Sequence, residues 1–157
     1  MQYKIFQLDM SNDETRGYRF MGWAFATKYF NRNHYKEMYS GEMDEPYILE
    51  AIWEKFNLDH PADFKGHSLS VSDVVALKKP DKDYWYYFYC DSFGWKEVTE
   101  YWRYRYGMRL RGFSPGAQPK GVVLREDDPK GKYHDIIYYS VPLTEKEISD
   151  YELDDLN

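Results

Sequence analysis

Apolar residues recur at helical spacing in two stretches of the first sixty residues, and nothing after Leu77 alternates a strand with a helix. That order constrains the chain most, because a doubly wound α/β fold needs the alternation to continue. Tyr3 to Leu8 alternates apolar and polar side chains and predicts a strand. Ser11 to Thr15 has helix-start chemistry, and Tyr18, Met21, Phe25 and Tyr29 then predict a helix from Thr15 to Phe30. Tyr35 to Glu42 predicts a second strand beside the first. Glu45-Pro46 opens a second helix, with Ile48, Leu49, Ile52, Trp53 and Phe56 as its apolar stripe.

The rest reads as strands. Leu69 to Leu77 ends in one, and Tyr84 to Cys90 forms an aromatic partner across the polar turn Lys78 to Asp83. Trp95 to Val98 follows the turn Asp91 to Gly94. Gly107 to Gly121 holds two prolines and four glycines and is the expected internal boundary. Beyond it, Val122-Val123-Leu124 and Ile136 to Tyr139 flank the turn Asp127 to Gly131. Thr144-Glu145-Lys146-Glu147 is a capping box that starts a short acidic helix. The fold expected is α+β: an antiparallel sheet with a β-α-β-α N-terminal part, an aromatic hairpin centre, and a C-terminal hairpin plus acidic helix. Residues 1–106 form the expected main domain and 107–157 an extension packed on it.

Composition narrows the function classes. One cysteine, Cys90, in 157 residues gives no disulfide framework and suits a reducing compartment. The start lacks the long apolar run of a signal peptide, and no stretch approaches the roughly 18 apolar residues that span a bilayer. A cytoplasmic protein without membrane contact is expected. The net charge of -6 repels nucleic acid and favours basic partners. The chain carries 17 Tyr and 5 Trp, residue types that serve both cores and binding hot spots.

Few residues carry the pattern of an active site. His60, Asp63 and His67 could act in phosphodiester cleavage or bind zinc, but Pro61 and Gly66 prevent a one-face helical arrangement. A turn that uses the histidines structurally fits the same residues. Asp73, Asp91, Glu97 and Glu100 flank strands and could hold a cation, or serve as turn and cap residues. Cys90, in an apolar strand without a basic neighbour, reads as an inert thiol. No cofactor and no metal is expected. Tyr101, Trp102, Arg103, Tyr104, Arg105, Tyr106, Arg109 and Arg111 interleave rings with arginines. That composition suits base stacking with phosphate pairing, or a protein-binding surface. A plain strand with rings on one face and internally paired arginines on the other fits as well.

From Gly66-His67-Ser68-Leu69-Ser70-Val71-Ser72-Asp73 to Tyr89-Cys90-Asp91-Ser92-Phe93-Gly94-Trp95, the chain resembles the YodL-like domain of bacterial mobile-element proteins. Tyr3 to Asp9 resembles that domain's first strand, and Phe56 to Phe64 its lead-in to the Gly-His-Ser motif. Gly116 to Gly121, Tyr133 to Ile137 and Leu143 to Leu153 look like another segment recurring in such proteins. The resemblance brings no catalytic residues with it. It implies an accessory factor carried by invading DNA. The expected function is therefore a non-enzymatic counter-defence protein that binds and inhibits a host defence nuclease. A type II anti-CRISPR that meets the effector or its guide complex is the leading instance. Glu126, Asp127, Asp128, Asp150, Glu152, Asp154 and Asp155 would face the nuclease's basic channel, with exposed Tyr and Trp as anchors. The alternatives are an RNA-binding module using Arg103, Arg105, Arg109 and Arg111, and a small ribonuclease using His60 and His67.

Overall fold

The computed structural model of the chain describes residues 1–109 and 118–157. The chain divides into two compact units, Met1–Trp102 and Arg103–Asn157.

The first unit contains β1 (Gln2–Leu8), α1 (Trp23–Ala26), β2 (Tyr35–Glu42), α2 (Ile48–Leu58), β3 (Val74–Lys78), β4 (Tyr86–Cys90), β5 (Trp95–Glu97) and α3 (Thr99–Trp102). Its five strands form one antiparallel sheet in the order β2-β1-β3-β4-β5. Alternation along each strand sends side chains to opposite faces. Tyr3 and Ile5 of β1 and Val75 and Leu77 of β3 meet Ile48, Ile52 and Phe56 of α2 on one face. Leu8 and Val74 join Tyr18, Trp23, Tyr35, Tyr89 and Val98 on the other. Because both faces are covered, β3 is a continuous apolar run, Val74-Val75-Ala76-Leu77, with every residue buried.

The helix expected over Thr15 to Phe30 is broken. A 3-10 turn occupies Asp13–Gly17, and α1 is one four-residue turn. Phe20 adopts φ 61°, which no right-handed helix contains, and Gly22 caps the start of α1. Of the expected stripe Tyr18 is buried, but Met21, Phe25 and Tyr29 are exposed. Trp23 and Ala26 of α1, off that stripe, reach the core beside Tyr18 instead.

The second unit contains β6 (Tyr104–Met108), β7 (Val122–Asp127), β8 (Asp135–Tyr139), α4 (Glu145–Asp150) and β9 (Leu153–Asp155). Its strands pair antiparallel in the order β7-β8-β6-β9. Tyr106, Met108, Ile137, Tyr139 and Leu153 form its core, with Ile148 of α4 packed against them. Thr144 and Glu147 close the capping box that starts α4. The acidic helix ends at Asp150, however. Glu152 takes φ 50°, and Leu153–Asp155 pairs with β6 as an edge strand. Asp154 and Asp155 thus lie on a strand, anchored by the one buried apolar residue Leu153. Gly107 and Met108, expected in a loop, extend β6, since Gly107 is buried beneath the Tyr133 ring.

Candidate functional site

The motif Gly66 to Asp73 closes over the end of β1 and buries a carboxylate. Asp73 is 1% exposed, and its Oδ2 accepts from the Gln7 amide at 3.0 Å and from the Ser70 N–H at 2.8 Å. Gln7 uses its other proton on the His67 carbonyl at 2.8 Å. His67 Nδ1 lies 2.7 Å from the Ser68 carbonyl, which requires the proton on Nδ1. Its Nε2 faces Asp73 Oδ1 from 3.8 Å, beyond hydrogen-bond reach, and is buried without a hydrogen-bond partner among the described residues. Burial pushes the Asp73 carboxyl up to about 8, against the opposing pull of Ser70 and Gln7. Gly66 makes room for this arrangement: a Cβ there would lie 2.2 Å from Gln7 Oε1.

Phe20 covers this cluster with its ring centroid 5.9 Å from that of His67. Other large apolar side chains of this unit also reach the surface. Met21, Phe25, Tyr29, Tyr101 and Phe93 are all exposed. Phe93 sits at the tip of the β4–β5 turn, where Gly94 supplies φ 75°.

The other carboxylates and histidines of the first unit are separate from this cluster. His60 is exposed and packs on Phe64, while Asp63 is exposed in the same loop. Asp91 Oδ1 accepts from the N–H groups of Trp23 and Ser92, and Glu97 from the Thr99 hydroxyl. Glu100 is exposed on α3. Cys90 is buried, and burial followed by the neighbouring Asp73 pushes its thiol up to about 12. It is no thiolate at neutral pH. Among the described residues, no three His, Cys, Asp or Glu side chains gather as a metal site.

The segment from Tyr101 to Arg109 crosses the boundary between the units. Tyr101 and Trp102 end the first unit, where Trp102 stacks on Tyr87 at 4.7 Å. Arg103 is half-buried. Tyr104 packs against the core of the second unit and Tyr106 is within it, so the rings of β6 point inward. Arg105 Nε donates to the Leu156 carbonyl, and Arg109 holds Asp154 at 2.8 Å. Arg111 lies outside the described residues. The strand thus has rings within and arginines engaged by the chain's own acceptors.

The acidic candidates fall into two groups. Asp128 accepts from the N–H groups of Lys130, Lys132 and Tyr133, which hold its carboxyl below the ordinary range. Asp154 binds Arg109 and the Tyr133 hydroxyl and is lowered likewise. Asp150 pairs with Lys146, and Asp155 accepts from Asn157. Glu126 takes one bond from the Tyr138 hydroxyl and is otherwise open to solvent. Asp127 and Glu152 are exposed and bonded through their backbones, and among the described residues neither carboxylate accepts a hydrogen bond. These last three are the carboxylates available to a partner.

Sequence reading named Asp73 but missed Gln7. The available signal was a polar residue at the third inward position of β1, after Tyr3 and Ile5. Inward polar side chains need partners, and this one has two.

No described helix is long and apolar enough to cross a membrane. No curated protein and no solved structure matches the chain. Two family models do. Residues 102–157 match the model described as defence against restriction A C-terminal, which brings the theme of counter-defence in mobile elements. Residues 2–101, nearly all of the first unit and the whole Gly66 to Asp73 network, match the YodL-like domain. That match covers more than half of the sequence, and the chain belongs to the YodL-like domain family.

Proposed function

We propose that this chain is a counter-defence factor of a mobile element, acting in the host cytoplasm by binding a defence nuclease rather than by catalysis. The observation that carries the reading is a coincidence of boundaries. The segment similar to the defence against restriction A C-terminal model, 102–157, coincides with the Arg103–Asn157 unit, which has its own sheet and core. A similarity that spans a whole folding unit supports a shared role better than a scattered motif does. The description favours a restriction enzyme as the partner, with the type II CRISPR effector as the second choice.

The contact chemistry is electrostatic. Glu126, Asp127 and Glu152 project from the second unit with oxygens to spare, and a nuclease must present a basic channel to its DNA. The engaged arginines, Arg105 and Arg109, argue against the guide-RNA alternative, because a phosphate would have to displace their internal acceptors.

The test is transfer of unmodified DNA into a restricting host that makes the chain. Transfer should rise at least tenfold over the same host without it, with no change in a non-restricting strain. Reversing three charges (Glu126→Lys, Asp127→Lys, Glu152→Lys) should abolish the gain. Equal transfer with and without the chain, in both restricting and CRISPR-armed hosts, overturns the reading.

A further inference from the structure

The first unit leaves a large ring-bearing face uncovered, and this face has no part in the capture reading above. Phe20, Met21, Phe25, Tyr29, Phe93 and Tyr101 are between 42% and 96% exposed. The fold brings these residues together. Phe25 and Tyr29 lie 5.6 Å apart, and Tyr101 rests 5.1 Å from Trp23 of the same α1 turn. Gly22 abuts the β4–β5 turn so closely that a Cβ would stand 2.5 Å from Ser92 Oγ, which places Phe93 beside the Phe20 to Tyr29 segment.

The area decides what kind of occupant fits. An aromatic side chain presents about 150–250 Å² when whole, so these fractions amount to roughly 600 Å² of apolar surface on one copy. A monomer's largest apolar patch is about 300–600 Å², and a stable interface buries about 800 Å² on each partner. With a polar rim added, this face is the size of one side of a dimer contact.

The rim carries both signs. Lys28 Nζ lies 5.8 Å from the Phe25 ring centroid. Glu14, 77% exposed, bonds His34, which bonds the Tyr18 hydroxyl, and the Tyr18 ring stacks on Tyr29. A face meant for a basic groove would carry acids alone. One with a cation and an anion around an apolar centre satisfies itself twice under a two-fold axis, the commonest symmetry of soluble oligomers.

We propose that the Phe20–Tyr29 segment, Phe93 and Tyr101 form a self-association surface that joins two copies of this chain. Each dimer then presents two copies of the C-terminal unit.

Sedimentation velocity of the full chain from low to high micromolar concentration tests this. The mass should reach double the 19.0 kDa of one chain and persist in high salt, as an apolar contact does. Phe93→Ser touches no core residue and should weaken dimerisation at least tenfold. The double variant Phe25→Ser/Phe93→Ser should stay monomeric with an unchanged far-ultraviolet spectrum. A wild-type chain that remains a monomer throughout overturns the proposal. So does a dimer that survives Phe93→Ser at full affinity. Neither result bears on DNA transfer, so this proposal can fail while the capture reading stands.

Discussion

The backbone N–H of Phe20 donates to the Ser72 hydroxyl at 3.1 Å, and both residues hold left-handed backbone, with φ 61° and 84°. Neither is glycine, so each carries a conformational cost. The pair ties the broken N-terminal helix to the loop that buries Asp73. The Tyr35 hydroxyl adds a bond to the Ser72 carbonyl, and the Ser72 N–H donates to Cys90. Left-handed residues persist where their surroundings over-determine them, and here three hydrogen bonds do so.

Substitution at Ser72 separates the bond from the strain. Ser72→Ala keeps the strained backbone and leaves the Phe20 N–H without its acceptor, a loss of about 1–3 kcal/mol. Ser72→Gly also loses the hydroxyl but relieves the left-handed penalty, so it should be the milder change by about 1 kcal/mol. Urea unfolding followed by tryptophan fluorescence measures both. All five tryptophans lie in the first unit, so the signal reports the unit that is altered. Alanine and glycine variants of equal stability would show that no strain is stored there.

Asp73 makes the first unit sensitive to pH in an unusual direction. The folded carboxyl keeps its proton to about pH 8, whereas an unfolded aspartic acid loses it near pH 4. Between those values the folded state binds more protons, so this group's contribution to stability is full below pH 4 and is lost as pH rises toward 8. The slope from this one group is at most about 1.4 kcal/mol per pH unit. Asp73→Asn keeps an oxygen for Ser70 and Gln7 and turns an N–H toward His67. It should flatten the slope and be more stable than the wild type at pH 8. Parallel stability curves for the two proteins from pH 5 to 8 would contradict the assignment.

The parts of the fold that were legible in the sequence are those written by local chemistry. Alternation in Tyr3 to Leu8 and the polar turn after Lys78 predict strands that pair as expected in β1–β2 and β3–β4. Thr144 and Glu147 announce their cap by spacing alone. What failed was spacing without conformation. Tyr18, Met21, Phe25 and Tyr29 keep helical intervals, but nothing in a periodicity reveals that Phe20 turns left-handed to reach Ser72, 52 positions away. The same holds for β9, where acidic residues suited a helix surface and one apolar residue, Leu153, decides the pairing. The Asp73 network joins Gln7 to a carboxylate 66 positions on, which a one-dimensional reading reaches only through the rule that buried polar groups must be paired.

The cap on α4 gives a local prediction. Thr144 Oγ1 accepts from the Glu147 N–H, and Glu147 Oε1 accepts from the Thr144 N–H at 3.1 Å. Thr144→Ala removes the first of these bonds and should cost about 1 kcal/mol. Hydrogen exchange of the amides in Glu145–Asp150 should speed up about fivefold, while amides in β6 and β8 change little. Thr144→Asp supplies another capping oxygen and should restore most of the protection.

Gly107 packs directly against the Tyr133 ring, and its test is a coupled one. A Cβ at this position of β6 would lie 2.6 Å from Cδ1 and Cε1 of Tyr133. The ring cannot swing aside freely. Its backbone N–H is held by Asp128 and its hydroxyl by Asp154, which is itself clamped by Arg109. Gly107→Ala should therefore destabilise the unit by about 1–3 kcal/mol, the usual range for an overpacked core. Tyr133→Ala alone should also destabilise, through lost ring burial. In the double variant the new methyl enters the space the ring has left, so the two costs should fall short of additivity by about 0.5–3 kcal/mol. Chemical unfolding followed by far-ultraviolet circular dichroism on the four proteins closes the cycle. Strict additivity would mean that Gly107 is required for something other than contact with Tyr133.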